Sequence, residues 1–197
     1  MKIGIVSDIH ANLRGIEQAL ALLDDCDEVL CAGDLMYQYR FSNDVLALLQ
    51  ERGVHAILGN HDKIVLYAPS HPLRASPTVG PEYLRYLGGL PNTLSLQFGT
   101  TAVQMFHGSP WDDEHGRVTP YLYPQDGKQM QRLAELPADV VILGHTHVPF
   151  AHQEGRVLIV NPGSCAEPRD GSGEQSCAVL DAETLAVEFR RFTLQRD

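Results

Sequence analysis

The stretch Lys2-Ile3-Gly4-Ile5-Val6-Ser7-Asp8-Ile9-His10 joins a short apolar run to an Asp and a His two positions apart. Residues 2–6 have the length and the apolar character of a buried strand. Residues 12–23 carry apolar side chains at helical spacing, and the next apolar run, at 28–32, predicts a second buried strand. Because buried strands separated by helices indicate parallel βαβ units, the chain is expected to adopt an α/β fold.

The rest of the chain extends this pattern and adds a second half that is rich in strands. Five prolines between residues 62 and 91 indicate a helical and loop excursion over the sheet. We therefore expect one domain, residues 1–197, with this excursion inside it. The remaining predicted elements are helices at 43–51 and 125–136, strands at 54–58, 93–98, 102–106 and 139–143, and mostly strands from 148 to 192.

Composition limits the classes of function that the chain can have. The formal net charge of −10 argues against an extended nucleic-acid surface, which needs clustered Lys and Arg, but it does not exclude a small phosphorylated substrate. No apolar run approaches the roughly 18–20 residues that cross a bilayer, and the N-terminus lacks a signal-peptide core. A cytoplasmic protein without a membrane partner is the expectation. Self-association into a homo-oligomer stays open.

Polar residues follow the apolar runs at five places along the chain. In an extended backbone, residues two positions apart face the same way, so Asp8 and His10 are expected to converge on one ion, as are His145 and His147. Functional groups of parallel sheets gather beyond the carboxyl ends of the strands. The five segments are Asp8-Ile9-His10, Gly33-Asp34, Gly59-Asn60-His61-Asp62, His107-Gly108 and Gly144-His145-Thr146-His147.

Each segment alone has an ordinary structural explanation. An Asp after a strand often caps a helix, Gly-Asn is a common turn, and a single buried His is more often hydrogen-bonded than metal-bound. Five separate strand ends that carry only Asp, Asn and His would rarely arise by chance. The joint pattern therefore favours a metal site.

These segments resemble the motifs of the calcineurin-like metallophosphoesterases, particularly their small bacterial and archaeal phosphodiesterase-like branch. The resemblance implies a double β-sheet sandwich flanked by helices, with metal ions at one edge of the sheets. It covers residues 7–164, with the motifs in the family's order. The matching motifs are Ser7-Asp8-Ile9-His10-Ala11-Asn12, Gly33-Asp34, Gly59-Asn60-His61-Asp62, His107-Gly108, Gly144-His145-Thr146-His147 and Asn161-Pro162-Gly163-Ser164.

The resemblance also implies a role for each motif residue. Asp34 would bridge two divalent ions, and His61 would contact the leaving group of the substrate. The first ion would be held by Asp8, His10 and His147, and the second by Asn60, His107 and His145.

With carboxylate, amide and imidazole ligands, Mn²⁺ is the expected metal, and Fe²⁺, Ni²⁺, Zn²⁺ and Co²⁺ are alternatives. Two such ions bridge a water molecule and clamp a phosphoryl group. The expected reaction is attack of a metal-bridging hydroxide on a small phosphate ester, with His61 protonating the departing oxygen. The sequence does not distinguish phosphate monoesters from diesters.

The chain departs from one motif of the family. Protein phosphatases and dinucleoside tetraphosphatases carry Gly-Asp-x-x-Asp-Arg-Gly, whereas this chain reads Gly33-Asp34-Leu35-Met36-Tyr37-Gln38-Tyr39. This difference argues against a protein phosphatase. Asp62 could orient His61 and Arg40 could reach phosphate, but we interpret both as surface residues. The aromatic stretch 108–124 fits a substrate pocket and an ordinary packed loop equally well.

Two alternatives from other classes can be weighed on the sequence. A catalytically silent binding scaffold with the same fold would be expected to lack metal ligands or the substrate His, and all eight positions are filled here. A (β/α)₈ amidohydrolase fails on length, because that barrel needs about 250 residues.

Overall fold

Two mixed five-stranded sheets lie face to face at the centre of the structure, a computed structural model that describes residues 1–111 and 120–194. The strands are β1 Lys2–Val6, β2 Glu28–Cys31, β3 His55–Ala56, β4 Thr93–Phe98, β5 Thr101–Phe106, β6 Val140–Ile142, β7 Phe150–Glu154, β8 Val157–Asn161, β9 Gln175–Asp181 and β10 Val187–Phe192. The helices are α1 Leu13–Leu22, α2 Asn43–Glu51, α3 Asn60–Tyr67, α4 Pro81–Gly89 and α5 Gly127–Ala134, with a 3₁₀ helix at Pro72–Ala75.

Each sheet combines parallel strands at its centre with antiparallel strands at one or both edges. The first sheet has the order β10-β9-β1-β2-β3, in which β1, β2 and β3 are parallel. The second has the order β4-β5-β6-β8-β7, in which β5, β6 and β8 are parallel. In both sheets the carboxyl ends of the central strands meet at one edge, which is where side chains of parallel sheets converge.

Three layers of buried apolar side chains hold the sheets and helices together. Ile5 and Val160 belong to the layer between the two sheets. Ile16 of α1 and Leu46 of α2 belong to the layer that covers the outer face of the first sheet. Met130 of α5 packs on the outer face of the second. This arrangement confirms the predicted α/β sandwich of two sheets flanked by helices.

The third strand is shorter than predicted. The expected strand at 54–58 pairs only at His55–Ala56, because the following backbone leaves the ladder. The backbone N–H of Leu58 donates to the carbonyl of Pro91, 2.9 Å away, instead of to a sheet neighbour. This departure carries the chain directly into α3 at Asn60, two residues before the predicted excursion. No helix in the described parts of the chain is long and apolar enough to span a bilayer.

Candidate metal centre

The loops that carry the predicted ligands turn sharply as soon as each strand ends. Five of these residues have backbone φ angles in the left-handed region, which non-glycine residues seldom adopt. Residues with such strained backbones cluster at functional sites. The five residues are Asp8 (53°), His10 (52°), Asp34 (54°), His145 (68°) and His147 (58°). The expectation of an extended backbone was therefore wrong for both His-containing pairs. The side chains converge because the chain folds back, not because it continues as a strand.

Asp8, His10 and His147 form the first buried group. One ligand atom from each of the three lies within 4.8 Å of the others. The Nε2 atom of His147 is 3.2 Å from Asp8 Oδ1, and the Nε2 atom of His10 is 3.7 Å from the same oxygen. These are the three residues expected around the first ion.

Asp34, His107 and His145 form the second group, again with ligand atoms within 4.8 Å of one another. The Nε2 atom of His107 lies 3.2 Å from Asp34 Oδ2 and 3.1 Å from the amide oxygen of Asn60. Asn60, predicted as a ligand of the second ion, thus lies beside this group. His145 and His147, two positions apart, point to different groups and do not converge on one point, because both residues have left-handed backbones.

Asp34 connects the two groups. Its Oδ2 atom lies 3.2 Å from His107 Nε2 and 3.6 Å from His10 Nε2. Its other oxygen accepts a hydrogen bond from the backbone N–H of His61, 2.8 Å away. The imidazole of His61 stands at the rim, partly exposed, with Nε2 4.0 Å from Asp34 Oδ2. One carboxylate therefore faces both groups and fixes the start of the helix that carries Asn60 and His61.

The buried polar atoms at this edge fit a bound cation. Within the described residues, those without a hydrogen-bond partner are Ser7 Oγ, Asp8 Oδ1, both ring nitrogens of His10, and His61 Nδ1. Unpaired buried polar atoms are costly, and metal coordination is one way to satisfy them. Carboxylate oxygens, an amide oxygen and imidazole nitrogens form a donor set suited to divalent ions of the middle and late first transition series.

The carboxyl groups of Asp8 and Asp34 are ionised although both are completely buried. Burial opposes the charge on Asp8, but the attraction of His147 and hydrogen bonds from His10 and His147 hold the pKa of Asp8 well below its usual range. Burial also opposes the charge on Asp34, but the attraction of His107 outweighs burial and lowers the pKa of Asp34. Burial alone would lower the pKa of His107, but Asp34 and Asp8 raise it to about 9. The two ionised carboxylates therefore supply negative charge that a cation could neutralise once it displaces the imidazole protons.

Two residues outside the metal groups brace the ligand loops. The side-chain amide of Asn161 donates to the carbonyl of Gly144, 2.7 Å away, and to Thr146 Oγ1, 3.0 Å away. The hydroxyl of Ser164 donates to the carbonyl of Asp8 at 2.8 Å. The motif Asn161-Pro162-Gly163-Ser164 thus holds the loops of both sheets together.

Asp62 was wrongly interpreted as a surface residue. Its side chain is fully buried, and its carboxylate accepts hydrogen bonds from the backbone N–H groups of Leu35, Met36 and Gly59 at 3.1, 2.8 and 2.9 Å. Burial and the charge of Asp34 raise its pKa to about 6, against the effect of these hydrogen bonds. Asp62 therefore ties α3 to the loop that carries Asp34.

Sequence reasoning also missed an aromatic wall beside the site. The ring of Tyr37 lies 4.6 Å from that of His61 and 5.3 Å from that of His10, measured between centroids. The guanidinium of Arg40 is exposed, as expected, and lies 5.1 Å from the Tyr37 ring and 2.9 Å from Glu167. No sequence motif marked Tyr37, since a Tyr in a loop has no characteristic spacing.

The aromatic stretch 108–124 falls partly outside the described residues, since 112–119 are not covered. Of the described part, Tyr121 stacks on His145, with 4.2 Å between ring centroids and 13° between planes. Trp111 contacts Arg132 instead, with the guanidinium 3.8 Å from its ring. Tyr121 therefore reaches the candidate centre, whereas Trp111 packs on α5.

Proteins from archaea and bacteria align with this chain along nearly its whole length. A probable metallophosphoesterase of Methanothermobacter thermautotrophicus is 29% identical over 197 aligned residues, covering 97% of this chain and 92% of that protein. A crystal structure of a metallophosphoesterase from Sphaerobacter thermophilus has a TM-score of 0.79 and 25% identity, covering 99% of this chain and 90% of that one. The fold is also that of a protein described as a novel archaeal phosphodiesterase, with a TM-score of 0.63, 24% identity, and coverage of 98% of this chain and 100% of that one.

A family model described as the calcineurin-like phosphoesterase superfamily domain matches residues 1–185. The match includes every residue of the two ligand groups, and the sandwich architecture agrees with that of the similar structures. The chain is therefore a metal-dependent phosphoesterase that belongs to the calcineurin-like phosphoesterase superfamily, in its small prokaryotic branch.

Proposed function

We propose that the chain hydrolyses small phosphodiesters with two divalent ions held at the edge of its sheets. One observation carries the proposal: the carboxylate of Asp34 belongs to the second buried group and also lies 3.6 Å from His10 of the first. In the proposed assignment Asp34 would contribute a ligand to both ions. Asp8, His10 and His147 hold the first, and Asn60, His107 and His145 hold the second. Mn²⁺ is the proposed metal, because mixed oxygen and imidazole ligands suit it.

A pair of such ions, when bound, lowers the pKa of a shared water and neutralises charge that develops on the phosphoryl oxygens. The contribution of the chain is to position these ions and to handle one proton. His61 lies beside Asp34 at the partly exposed rim, so a ring nitrogen can approach the departing oxygen. Burial lowers the pKa of His61, against the attraction of Asp34, so its protonated form releases the proton readily.

A preference for small diesters over phosphoproteins follows from the loop after β2. The Asp and Arg of the phosphatase motif are replaced here by Tyr37 and Gln38. Tyr37 turns its ring against His61 and so presents an apolar wall on the side of the departing group. The archaeal phosphodiesterase of the same fold agrees with this choice of substrate class.

The proposal is tested by stripping the protein of metal and restoring Mn²⁺ in the presence of bis(p-nitrophenyl) phosphate or p-nitrophenyl phosphate. We expect release of nitrophenolate only with metal, and faster from the diester. Asp34→Asn should abolish turnover, whereas the control His55→Ala, an exposed His on β3 beside Glu28, should retain it. Absence of turnover with Mn²⁺, Fe²⁺, Co²⁺, Ni²⁺ and Zn²⁺ in turn would indicate a silent binding scaffold instead.

A further inference from the structure

Two of the candidate metal-binding histidines share one orientation. His107 directs Nε2 toward Asp34 and places Nδ1 2.7 Å from the carbonyl oxygen of Ala32. His147 directs Nε2 toward Asp8 and places Nδ1 2.6 Å from the carbonyl oxygen of Glu167. In each case the inner nitrogen faces the centre, and the outer nitrogen can donate a proton to a fixed acceptor. Such outer hydrogen bonds set the tautomer and the orientation of a metal-binding imidazole.

His10 has the same inward orientation but lacks the outer hydrogen bond. Its Nε2 atom lies between Asp34 Oδ2, 3.6 Å away, and Asp8 Oδ1, 3.7 Å away. Its side chain is fully buried, and its Nδ1 has no hydrogen-bond partner among the described residues. The carboxylate that faces Nδ1 is that of Glu167, with Oε2 3.9 Å away. A rotation of this partly exposed side chain would be needed to bring the two atoms within hydrogen-bond distance.

Both the backbone and the carboxylate of Glu167 are held in place near His10. Its backbone N–H donates to Ser164 Oγ, 2.8 Å away, and the same hydroxyl donates to the carbonyl of Asp8. Its carboxylate binds Arg40 through Oε1 at 2.9 Å, which leaves Oε2 directed toward His10. The stacking of Tyr37 on one face of the His10 ring further limits how that ring turns. The carboxylate is therefore already oriented toward Nδ1.

We propose that Glu167 is a positioning residue for the first metal ion. Its carboxylate accepts the Nδ1 proton of His10 and so keeps Nε2 unprotonated and directed inward, while Arg40 holds the carboxylate in place. This inference rests on the metal centre of the proposed function, and it adds a residue that acts through His10 rather than on the substrate. Loss of such an outer partner weakens metal binding by about 10-fold to 100-fold in proteins.

The test uses variants in which one of the two proposed ion sites has lost a ligand. His145→Ala removes a ligand of the second ion and His147→Ala a ligand of the first. We expect Glu167→Ala to weaken Mn²⁺ binding about 10-fold or more in the His145→Ala background, measured by calorimetry on metal-free protein. The same change should leave Mn²⁺ affinity unaltered in the His147→Ala background. Glu167→Gln, whose amide oxygen still accepts a hydrogen bond, should fall between Glu167→Ala and the parent.

Two further measurements make each outcome decisive. Glu174→Ala removes the same charge from an exposed position seven residues along the chain and should leave both affinities unchanged. Mn²⁺ titration of Glu167→Ala without a second substitution should show two binding events, of which only one has a lower affinity than in the parent. This measurement does not depend on the double variants. Equal Mn²⁺ affinities in Glu167→Ala and its parent would overturn the role of Glu167 while leaving the proposed function intact. A parent chain that binds no Mn²⁺ would overturn both.

Discussion

The carboxylate of Asp62 accepts a hydrogen bond from the backbone N–H of Met36, 2.8 Å away, and so joins the first turn of α3 to the loop that carries Asp34. Asp62→Asn replaces one of its two acceptor oxygens with an NH₂ group that faces backbone N–H donors. At least one buried donor is then unpaired, which lowers the free energy of unfolding by about 1–3 kcal/mol. Urea denaturation of metal-free protein measures this loss.

The matched control for Asp62 is Asp44→Asn, which changes an exposed Asp in the first turn of α2. We expect a change of less than about 0.5 kcal/mol there, as is usual at the surface. If both variants unfolded at the same urea concentration, the three backbone contacts of Asp62 would not stabilise the loop.

Gly59 is predicted to tolerate no side chain. A Cβ atom at this position would overlap the carboxylate and the backbone nitrogen of Asp34, although the backbone angles of Gly59 suit any residue. Gly59→Ala should therefore displace the bridging carboxylate and weaken the binding of both ions. Gly89→Ala is the control, because nothing lies within 4 Å of the added atom. Mn²⁺ titration that gives the same affinities for the two variants would contradict the close approach of Gly59 and Asp34.

Metal uptake is expected to release protons. His107 has a pKa raised to about 9 in the metal-free protein, so it carries a proton at neutral pH, and a metal ligand must be unprotonated. Calorimetry at about pH 7 in buffers of different ionisation enthalpy should show release of about one proton or more per chain. The release should decrease as the pH rises through 9. Heats that do not depend on the buffer would contradict this protonation state.

The raised pKa of His107 also affects the stability of the metal-free protein. Since the folded pKa of His107 lies above the ordinary value of 6.5, its protonation stabilises the fold below pH 6.5, and this contribution is lost as the pH rises to about 9. Metal-loaded protein should not show that loss, because the ion replaces the proton. Thermal unfolding of both forms between these pH values provides the comparison.

His61→Ala should distinguish substrates by their departing group. An alkoxide needs protonation as it leaves, whereas nitrophenolate needs little help, so we expect a much larger loss of kcat for alkyl esters. Mn²⁺ binding should be retained, because His61 is not among the proposed ligands. Equal losses for both classes of ester would exclude His61 as the acid, and His55→Ala controls for removal of an imidazole elsewhere.

Local pattern in the sequence was sufficient for most of the strands and for the edge at which the candidate ligands gather, because apolar runs followed by Asp or His mark strand ends. The left-handed angles of Asp8 and His147 were not predictable, since Asp and His have only a weak preference for them and the surrounding loops impose them. Asp62 and Glu167 were missed for a different reason. Their partners lie 26 residues away at Met36 and 127 residues away at Arg40, and no spacing rule links such positions.

The binuclear arrangement is tested most directly by the anomalous scattering of crystals grown with Mn²⁺. We expect two peaks for each chain, one between Asp8, His10 and His147 and the other between Asn60, His107 and His145, with the Asp34 carboxylate between them. A single peak, or peaks away from these seven side chains, would contradict the shared two-ion site.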